Sequence, residues 1–281
     1  MNLHTQRFGP HGVGLGLRTP HLHHVLTQQP DVPWFEAHSC NFMTAGPAQR
    51  LLLIIAEQYP LSLHGVSLNL GGLAPLDQGY LCALKRLCQK VKPCLISEHA
   101  CFTAFSNKQQ HDLMPIPFTE EAVIHMAHRI DQAQQALGQQ LLIENVSRYY
   151  RYTESQLSEG EFLMALVELC GCGILLDLNN AYVNQHNHHE SIAELLAAIS
   201  PDIVGEIHLA GYTSSNGKLI DSHAGPISPH VWRLFEETLI QFPNVPVLIE
   251  WDNQLPGFDV LQGERLKAQT FLNTHEAAIW I

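Results

Sequence analysis

The sequence predicts an α/β protein built as a (β/α)8 barrel of the TIM type, with residues 1–281 forming one domain. Short apolar segments alternate with helical patterns, and eight such units fit a chain of 281 residues. The segments lack polar alternation, which is typical of parallel strands covered on both faces. An open doubly wound sheet is less favoured, because Gly12-Val-Gly-Leu-Gly16 matches a dinucleotide-binding turn only weakly.

Eight strands are predicted from the apolar segments, and six of them run into a residue type that binds metals. The segment 173–177 is representative, since Gly-Ile-Leu-Leu leads directly to Asp177. A carboxylate at the end of a buried strand is costly unless something pairs with it. The predicted strands are Gly12–Leu17, Trp34–Ala37, Leu61–His64, Cys94–Glu98, Leu141–Glu144, Ile174–Asp177, Ile203–His208 and Val247–Glu250.

Between the predicted strands, apolar residues at helical spacing and capping residues predict helices. Thr119 followed by two glutamates is a favourable helix start, because acidic residues stabilise the positive end of the helix dipole. Ser158 with Glu161 three residues later predicts a capping box. The predicted helices are Pro20–Gln29 and the approximate ranges 47–58, 77–91, 119–137, 158–171, 191–199, 228–242 and 261–275.

Composition argues against several classes of protein. A hydrophobic content of 46% with 15% charged residues indicates a folded interior. A net charge of -12, with 15 Lys and Arg that form no cluster, argues against nucleic acid as a partner. We find no apolar run long enough for a membrane span and no signal peptide, so a cytoplasmic location is expected. The seven cysteines show no disulfide or zinc-ribbon spacing.

The C-terminal ends of barrel strands meet at one rim, where enzymes of this fold carry their active sites. This rim would bring together four histidines and four carboxylates that are scattered in the sequence. Asp221 and His223 lie on one extended segment that can fold over the barrel mouth, and Asn180 offers an oxygen from the turn after a strand. The eight residues are His64, His99, Glu144, Asp177, His208, Asp221, His223 and Glu250.

The types of donor atom indicate which metals are suitable. Imidazole and carboxylate without thiolate suit iron, manganese or zinc better than copper(I). Nine candidates, with Asn180 included, exceed the capacity of one ion and fit two or three ions with bridging carboxylates. Any one of them has an ordinary structural explanation as an ion pair, but Arg and Lys are scarce in these loops. Glu36 and His38, at the end of the second strand, fit the structural explanation better.

Six motifs occur in an order that is specific when they are taken together. They are Leu61-Ser-Leu-His-Gly65, Ser97-Glu-His99, Leu142-Ile-Glu-Asn145, Leu176-Asp-Leu-Asn-Asn-Ala-Tyr-Val-Asn184, Gly205-Glu-Ile-His-Leu-Ala-Gly211 and Ile249-Glu-Trp-Asp252. With these motifs the chain resembles the multinuclear non-haem iron-dependent oxidative enzymes, a family that includes the oxygenase subunit of methanobactin biosynthesis. The resemblance extends from Gly12 to Leu261.

The resemblance implies a barrel of the xylose-isomerase and apurinic-endonuclease type that holds two or three iron ions in mixed Fe(II) and Fe(III) states. It implies O2-dependent modification of cysteines in a ribosomally synthesised precursor peptide, for example to the oxazolone and thioamide of a methanobactin-like copper chelator. A small partner protein would recruit the peptide and form a heterodimer.

The resemblance also implies roles for individual residues. It carries over as metal ligands the eight rim residues together with Asn180, and Asp177, His208 and Glu250 are expected to be catalytic. Residues next to these ligands are expected to orient them. These supporting residues are Glu98, Asn145, Glu206 and Asp252.

Two loops depart from the common family pattern, and two other functions stay open. Ser39-Cys40-Asn41 replaces Ser-Glu-Asn, and Asn187-His188-His189 replaces Asn-His-Gly, so the substrate and the role of His188 are left open. A hydrolase of the trinuclear-zinc endonuclease type has a similar ligand order, but with His at the position of Asn180. A sugar isomerase or epimerase would need a catalytic lysine, for which Lys108 and Lys218 are the loop candidates.

Overall fold

Eight parallel strands close into a barrel in the computed structural model, which describes residues 10–105 and 108–279. The predicted (β/α)8 barrel is therefore confirmed, while residues 1–9 of the predicted domain lie outside the described part. The strands are β1 (Val13–Leu17), β2 (Phe35–His38), β3 (Leu61–His64), β4 (Leu95–His99), β5 (Cys101–Phe105), β6 (Lys108–Pro115), β7 (Leu142–Glu144), β8 (Gly173–Asp177), β9 (Val204–Leu209), β10 (Tyr212–Ser215), β11 (Lys218–Asp221) and β12 (Val247–Ile249).

The barrel order is β1-β12-β9-β8-β7-β4-β3-β2, with β2 paired to β1 to complete the circle. Helices follow the strands and cover the barrel from outside. They are α1 (Leu22–Gln28), α2 (Pro47–Ala56), α3 (Gln78–Val91), α4 (Glu120–Leu137), α5 (Glu159–Cys170), α6 (Leu178–His188), α7 (Ile192–Ala198), α8 (Pro229–Thr238) and α9 (Phe258–Ile279). In the described part of the chain, no helix has both the length and the apolar character that crossing a membrane requires.

The predicted helix starts are confirmed by their side-chain caps. The Thr119 hydroxyl accepts a hydrogen bond from the backbone N–H of Ala122, and α4 ends at Gly138 with a φ of 74°. Ser158 and Glu161 form the predicted capping box at the start of α5. These local contacts determine the residue at which each of these helices begins.

Three predicted connections were wrong. The chain after β4 and the chain after β9 form antiparallel hairpins, β5–β6 and β10–β11, where loops were predicted. The segment after β8 continues directly into α6, although its Asn and His residues have low helix propensity. Asp177 starts this helix by accepting a hydrogen bond from the N–H of Asn180, and Leu178, Ala181 and Val183 are buried. Burial and capping thus override propensity in α6.

Small residues in β1 leave room for large side chains inside the barrel. A Cβ atom added to Gly14 would overlap the indole of Trp34, which is fully buried at the lower end of the barrel. A Cβ atom on Gly16 would lie 3.0 Å from the guanidinium of Arg18, which crosses over β1 towards the rim. Glycine is therefore needed at both positions, because the Trp34 indole and the Arg18 guanidinium lie close to the backbone of β1.

Replacing Gly14 with Ala should lower the free energy of unfolding by about 1–3 kcal/mol, because the enclosed indole cannot move aside. Gly263 is a matched control, since it lies exposed in α9 with nothing within 4 Å of an added Cβ. Gly263→Ala should raise the free energy of unfolding by about 0.5–1 kcal/mol. Urea denaturation measures both changes, and shifts of the same sign would contradict this account of the barrel interior.

Candidate metal centre

The nine predicted ligand side chains converge at the C-terminal rim of the barrel, around a cavity of about 270 Å³. Asp177 and His208 lie directly beneath the cavity and are fully buried. The strand register brings several candidates side by side, with His99 opposite Glu144 and Asp177 opposite His208. The other seven line the cavity wall: His64, His99, Glu144, Asn180, Asp221, His223 and Glu250.

His64, His99 and Glu144 form a first set of possible ligands. The Nε2 atoms of His64 and His99 lie 3.4 and 3.2 Å from Oε2 of Glu144. The opposite ring nitrogens are held away from the cavity, because Nδ1 of His64 is 2.7 Å from the Ser97 hydroxyl and Nδ1 of His99 is 3.0 Å from the Gly65 carbonyl. Since a carbonyl only accepts, His99 donates through Nδ1 and leaves Nε2 free to bind a metal.

Glu144, Asp177, His208 and Glu250 form a second set, in which one donor atom of each lies within 4.8 Å of the others. Oδ1 of Asp177 accepts the N–H of Asn180 at 2.6 Å, whereas Oδ2 has no hydrogen-bond partner among the described residues. Nδ1 of His208 lies 3.0 Å from Oε2 of Glu250. Glu144 belongs to both sets, so its two oxygens can bridge two ions.

The β10–β11 hairpin brings Asp221 and His223 over the cavity. Their segment is not uniformly extended, because His223 has a φ of 44° and turns the chain inward. Nε2 of His223 is 2.6 Å from Oδ1 of Asp221, and its Nδ1 is 3.3 Å from Oε2 of Glu250. Asn179 and Ser147 donate to the Asp221 carboxylate at 2.6 and 3.2 Å, which fixes the hairpin to the rim.

Asn180 lies in the first turn of α6, and the prediction that it follows the strand in a turn was wrong. Its amide nitrogen donates to Oε1 of Glu144 at 3.3 Å and to the carbonyl of Asn145 at 3.0 Å. The amide oxygen is buried and has no partner among the described residues. This oxygen is therefore available as a neutral ligand.

The four predicted supporting residues contact the centre in different ways. Asn145 clamps the backbone of Asp177, accepting its N–H at 2.8 Å and donating to its carbonyl at 2.9 Å. Oδ2 of Asp252 is 3.2 Å from Nδ1 of His223, and Oε1 of Glu206 is 3.4 Å from Nε2 of His208. Glu98 acts on the backbone instead, since it accepts the N–H groups of residues 67, 68 and 99.

Sequence reasoning missed Arg18 and gave too little weight to Glu36 and His38. The buried Arg18 guanidinium bonds to Asp252 and lies 3.1 Å from Oε1 of Glu250. Nε2 of His38 lies 3.4 Å from the same oxygen. Alternation was the available signal, because Glu36 and His38 are two apart on β2 and share its inward face. Arg18 directly follows β1, as the predicted ligands follow or end their own strands.

The residues whose roles the sequence analysis left open do not belong to the ligand sets. Nε2 of His188 is 2.7 Å from the carbonyl of Arg148, so this side chain ties α6 to the chain after β7. Cys40 is exposed on a short helical turn after β2. Lys218 is exposed at the start of β11, and the side chain of Lys108 lies outside the described part.

In the metal-free protein, burial and the attraction between oppositely charged side chains shift the pKa values of ionisable groups at the centre. Burial lowers the pKa of His64 well below its ordinary value. Burial acts in the same direction on His99, but the carboxylates of Glu144 and Glu98 outweigh it and raise the pKa of His99 to about 9. Burial raises the pKa of Asp177 to about 7, against the attraction of His223. Protons therefore occupy part of the centre at neutral pH.

Metal binding to the purified metal-free protein should release protons, because a ligand must lose its proton before it coordinates. With pKa values of about 9 for His99 and about 7 for Asp177, proton competition weakens as pH rises. The apparent affinity for Mn²⁺ should therefore increase from pH 6 towards pH 9, by up to about tenfold per pH unit for each proton displaced.

Titration calorimetry of Mn²⁺ binding at pH 7, in two buffers with different ionisation enthalpies, measures the number of protons released. Identical heats in the two buffers would contradict the expected release.

Comparisons with known proteins identify the family and the fold of the chain. The profile described as "RiPP precursor modification enzyme MbnB/TglH/ChrH" matches residues 12–273, where RiPP denotes a ribosomally synthesised and post-translationally modified peptide. A UPF0276 protein of Acaryochloris marina is 43% identical over 264 residues, covering 94% of this chain and 96% of the relative.

Two solved structures share the fold at low sequence identity. Endonuclease IV from Thermus thermophilus has a TM-score of 0.60 at 15% identity and covers 94% of this chain and 100% of its own. A D-allulose 3-epimerase from Methylomonas has a TM-score of 0.61 at 13% identity and covers 92% and 96%. At such identities these likenesses show the fold alone, whereas the profile match covers nearly the whole chain. The chain therefore belongs to the MbnB/TglH/ChrH family of enzymes that modify RiPP precursors.

Proposed function

We propose that this protein is a multinuclear iron-dependent oxygenase or oxidase that uses O2 to modify cysteines of a ribosomally synthesised precursor peptide. The observation that carries the proposal is the pair of ligand sets that share Glu144 beneath an open rim cavity. A shared carboxylate suits a cluster of ions better than isolated sites. The family described above acts on RiPP precursors, which supplies the class of substrate.

The donor set suits iron, manganese or zinc, and iron is proposed because of the family resemblance. Imidazole nitrogens and carboxylate oxygens form both sets, and none of the described cysteines belongs to them. The unpartnered amide oxygen of Asn180 adds a neutral oxygen ligand, a type that is not among the usual protein ligands of zinc. Two or three iron ions in mixed Fe(II) and Fe(III) states would occupy the nine ligands, with Asp221 and His223 holding an ion under the hairpin.

Iron bound here would supply redox chemistry with O2 and a positive charge that favours a cysteine thiolate. The chain's own residues hold the reactants. Val66 and Leu113 provide apolar wall, and Tyr149 lines the opposite side of the cavity. The Tyr149 hydroxyl also accepts the N–H of Asp221 at 3.1 Å, which keeps the hairpin over the centre.

Asp177, His208 and Glu250 are the proposed catalytic residues because they belong together to the second ligand set, in which Asp177 and His208 are fully buried. Glu250 is held from both sides, by Arg18 on one oxygen and by His208 and His223 on the other. Asp177 keeps one oxygen free for a metal or a proton. Glu206, Asp252, Asn145 and Glu98 would orient these groups through the contacts described above.

The proposed partners follow from the family and the shape of the rim. The single barrel domain would bind a cysteine-containing precursor peptide, with a small partner protein that recruits it. The hairpins β5–β6 and β10–β11 flank the cavity through Asp112 and Asp221, which leaves a polar entrance between them. Acidic groups at this entrance would repel phosphate, which disfavours nucleic acid as a substrate.

Metal analysis tests the proposal directly. Protein purified without oxygen from iron-replete cells should contain at least two iron ions per chain, with coupled ferric signals in Mössbauer spectra after exposure to O2. Incubation with a Cys-bearing precursor peptide encoded beside the gene should then consume O2 and change the peptide mass. Stoichiometric zinc without iron would instead favour a hydrolase of the endonuclease type and contradict the oxidative proposal.

The position of Asn180 separates the two chemistries by mutation. Asn180→His introduces the ligand that zinc endonucleases carry there, so it should favour Zn²⁺ over Fe²⁺ and reduce O2-dependent turnover roughly 10- to 100-fold. Asn273→His is the matched control, because Asn273 is exposed on α9. Competition between the two metals, followed by elemental analysis, measures the preference. An Asn180→His protein with unchanged metal preference and turnover would show that this position is not a ligand.

A further inference from the structure

A second group of polar side chains lies inside the barrel, below the rim centre. Glu36 projects from β2, and Glu206 and His208 project from β9 across the barrel, all with 0% exposure. A (β/α)8 barrel normally fills this layer with branched apolar side chains. Here apolar filling is provided by Leu142 and Leu175, which pack together with Leu95 in a cluster of their own.

Most polar atoms of this group have no hydrogen-bond partner among the described residues. These atoms are Oε1 of Glu36, both carboxylate oxygens of Glu206 and Nε2 of His208. The other two atoms have partners, because Oε2 of Glu36 accepts from the Ser62 hydroxyl at 3.3 Å and Nδ1 of His208 lies 3.0 Å from Oε2 of Glu250. Buried carboxylates without partners are strongly disfavoured unless a positive charge compensates them. Among the described side chains, a protonated His208 lies within 3.5 Å of both carboxylates and can supply one positive charge, which is one fewer than the negative charges of the two carboxylates.

The distances within the group resemble spacing around an ion. Nε2 of His208 lies 3.5 Å from Oε2 of Glu36 and 3.4 Å from Oε1 of Glu206. These separations are longer than an ordinary N–H···O hydrogen bond, which spans 2.7–3.2 Å. Ligands of a tetrahedral ion, with bonds of 2.0–2.1 Å, are separated by about 3.4 Å. One donor atom from each of the three side chains lies within 4.8 Å of the others.

This group is distinct from the ligand sets at the rim. His208 stands between the two, because its Nδ1 faces Glu250 at 3.0 Å and its Nε2 faces the interior carboxylates. No other residue of the interior group belongs to the rim sets. Coordination through both ring nitrogens would require His208 as an imidazolate, formed by loss of its N–H proton, and this ring would hold the interior site and the rim centre at a fixed separation.

We propose that a divalent first-row transition metal ion binds inside the barrel between Glu36, Glu206 and Nε2 of His208. One imidazole and two carboxylates suit Fe²⁺, Mn²⁺ or Zn²⁺, whereas Ca²⁺ and Mg²⁺ prefer oxygen ligands alone. The Ser62 hydroxyl beside Glu36 offers a further oxygen. The ion neutralises the two interior carboxylates and fixes the orientation of the His208 ring. This site does not depend on the peptide chemistry proposed above.

Anomalous diffraction from crystals of the full chain, reconstituted with Fe²⁺ without oxygen, tests the proposal. Data collected at the iron absorption edge should show a peak between Glu36, Glu206 and His208, in addition to those at the rim. Absence of that interior peak at saturating Fe²⁺ overturns the proposal, and it would indicate that the carboxyl groups are compensated by protons. Peaks at the rim alone would leave the proposed function standing. An interior peak alone would support this site and contradict the rim cluster.

Elemental analysis of variants gives an independent measurement. Glu36→Gln and Glu206→Gln should each lose one metal ion per chain, because the amide keeps the size of the side chain but removes its charge. Glu159→Gln is the matched control, since Glu159 is a buried acid that pairs with Arg148 outside the barrel interior. It should keep the full metal content. His99→Ala should lose metal at the rim and keep the interior ion.

An unchanged metal content in Glu206→Gln would overturn the proposal. Circular dichroism and melting curves verify that each variant is folded. Should the glutamine variants not fold, the wild-type anomalous map alone decides.

Discussion

The burial of many carboxyl groups inside one barrel mouth is the constraint on which the rest of this structure depends. Glu144, Asp177, Glu206 and Glu250 are each 3% exposed or less, yet they lie within one small volume. Charges of like sign at such distances repel strongly in a medium of low polarity. Backbone N–H groups, imidazoles and the Arg18 guanidinium offset part of this repulsion. Glu144 and Glu250 lie beside imidazoles, whereas neither carboxylate oxygen of Glu206 has a hydrogen-bond partner among the described residues.

Arg18 illustrates how this compensation is built into the barrel strands. Its side chain reaches Glu250 and Asp252 by passing over Gly16, where a larger residue would touch the guanidinium. The glycine in β1 and the acid after β12 are thus two parts of one arrangement, although they lie at opposite ends of the chain. Neighbouring strands in the closed barrel make this possible, since β1 pairs directly with β12.

The sequence predicted the strand ends well, because an apolar segment that stops at His64, Glu144 or Asp177 marks both the strand and its polar tip. It did not predict groups whose partners come from distant strands. Arg18 and Glu36 acquire their contacts only when the barrel closes, so their positions along the strands indicate that they face inward but not which residues they contact. Helix α6 escaped prediction for a related reason, since its asparagines are poor helix formers that are retained by burial. The β10–β11 hairpin was missed because its strands are short and largely polar, whereas the apolar segment Cys101–Phe105 was not recognised as a further strand after β4.

The start of α6 at Asp177 has a consequence for how a metal can be held there. One carboxylate oxygen is committed to the N–H of Asn180, so only the other faces the centre. Asp177 would therefore offer a metal only its Oδ2 atom. Asn180 sits on the same helical turn, which makes the two side chains one rigid unit. A displacement of α6 would move Oδ2 of Asp177 and the amide oxygen of Asn180 together.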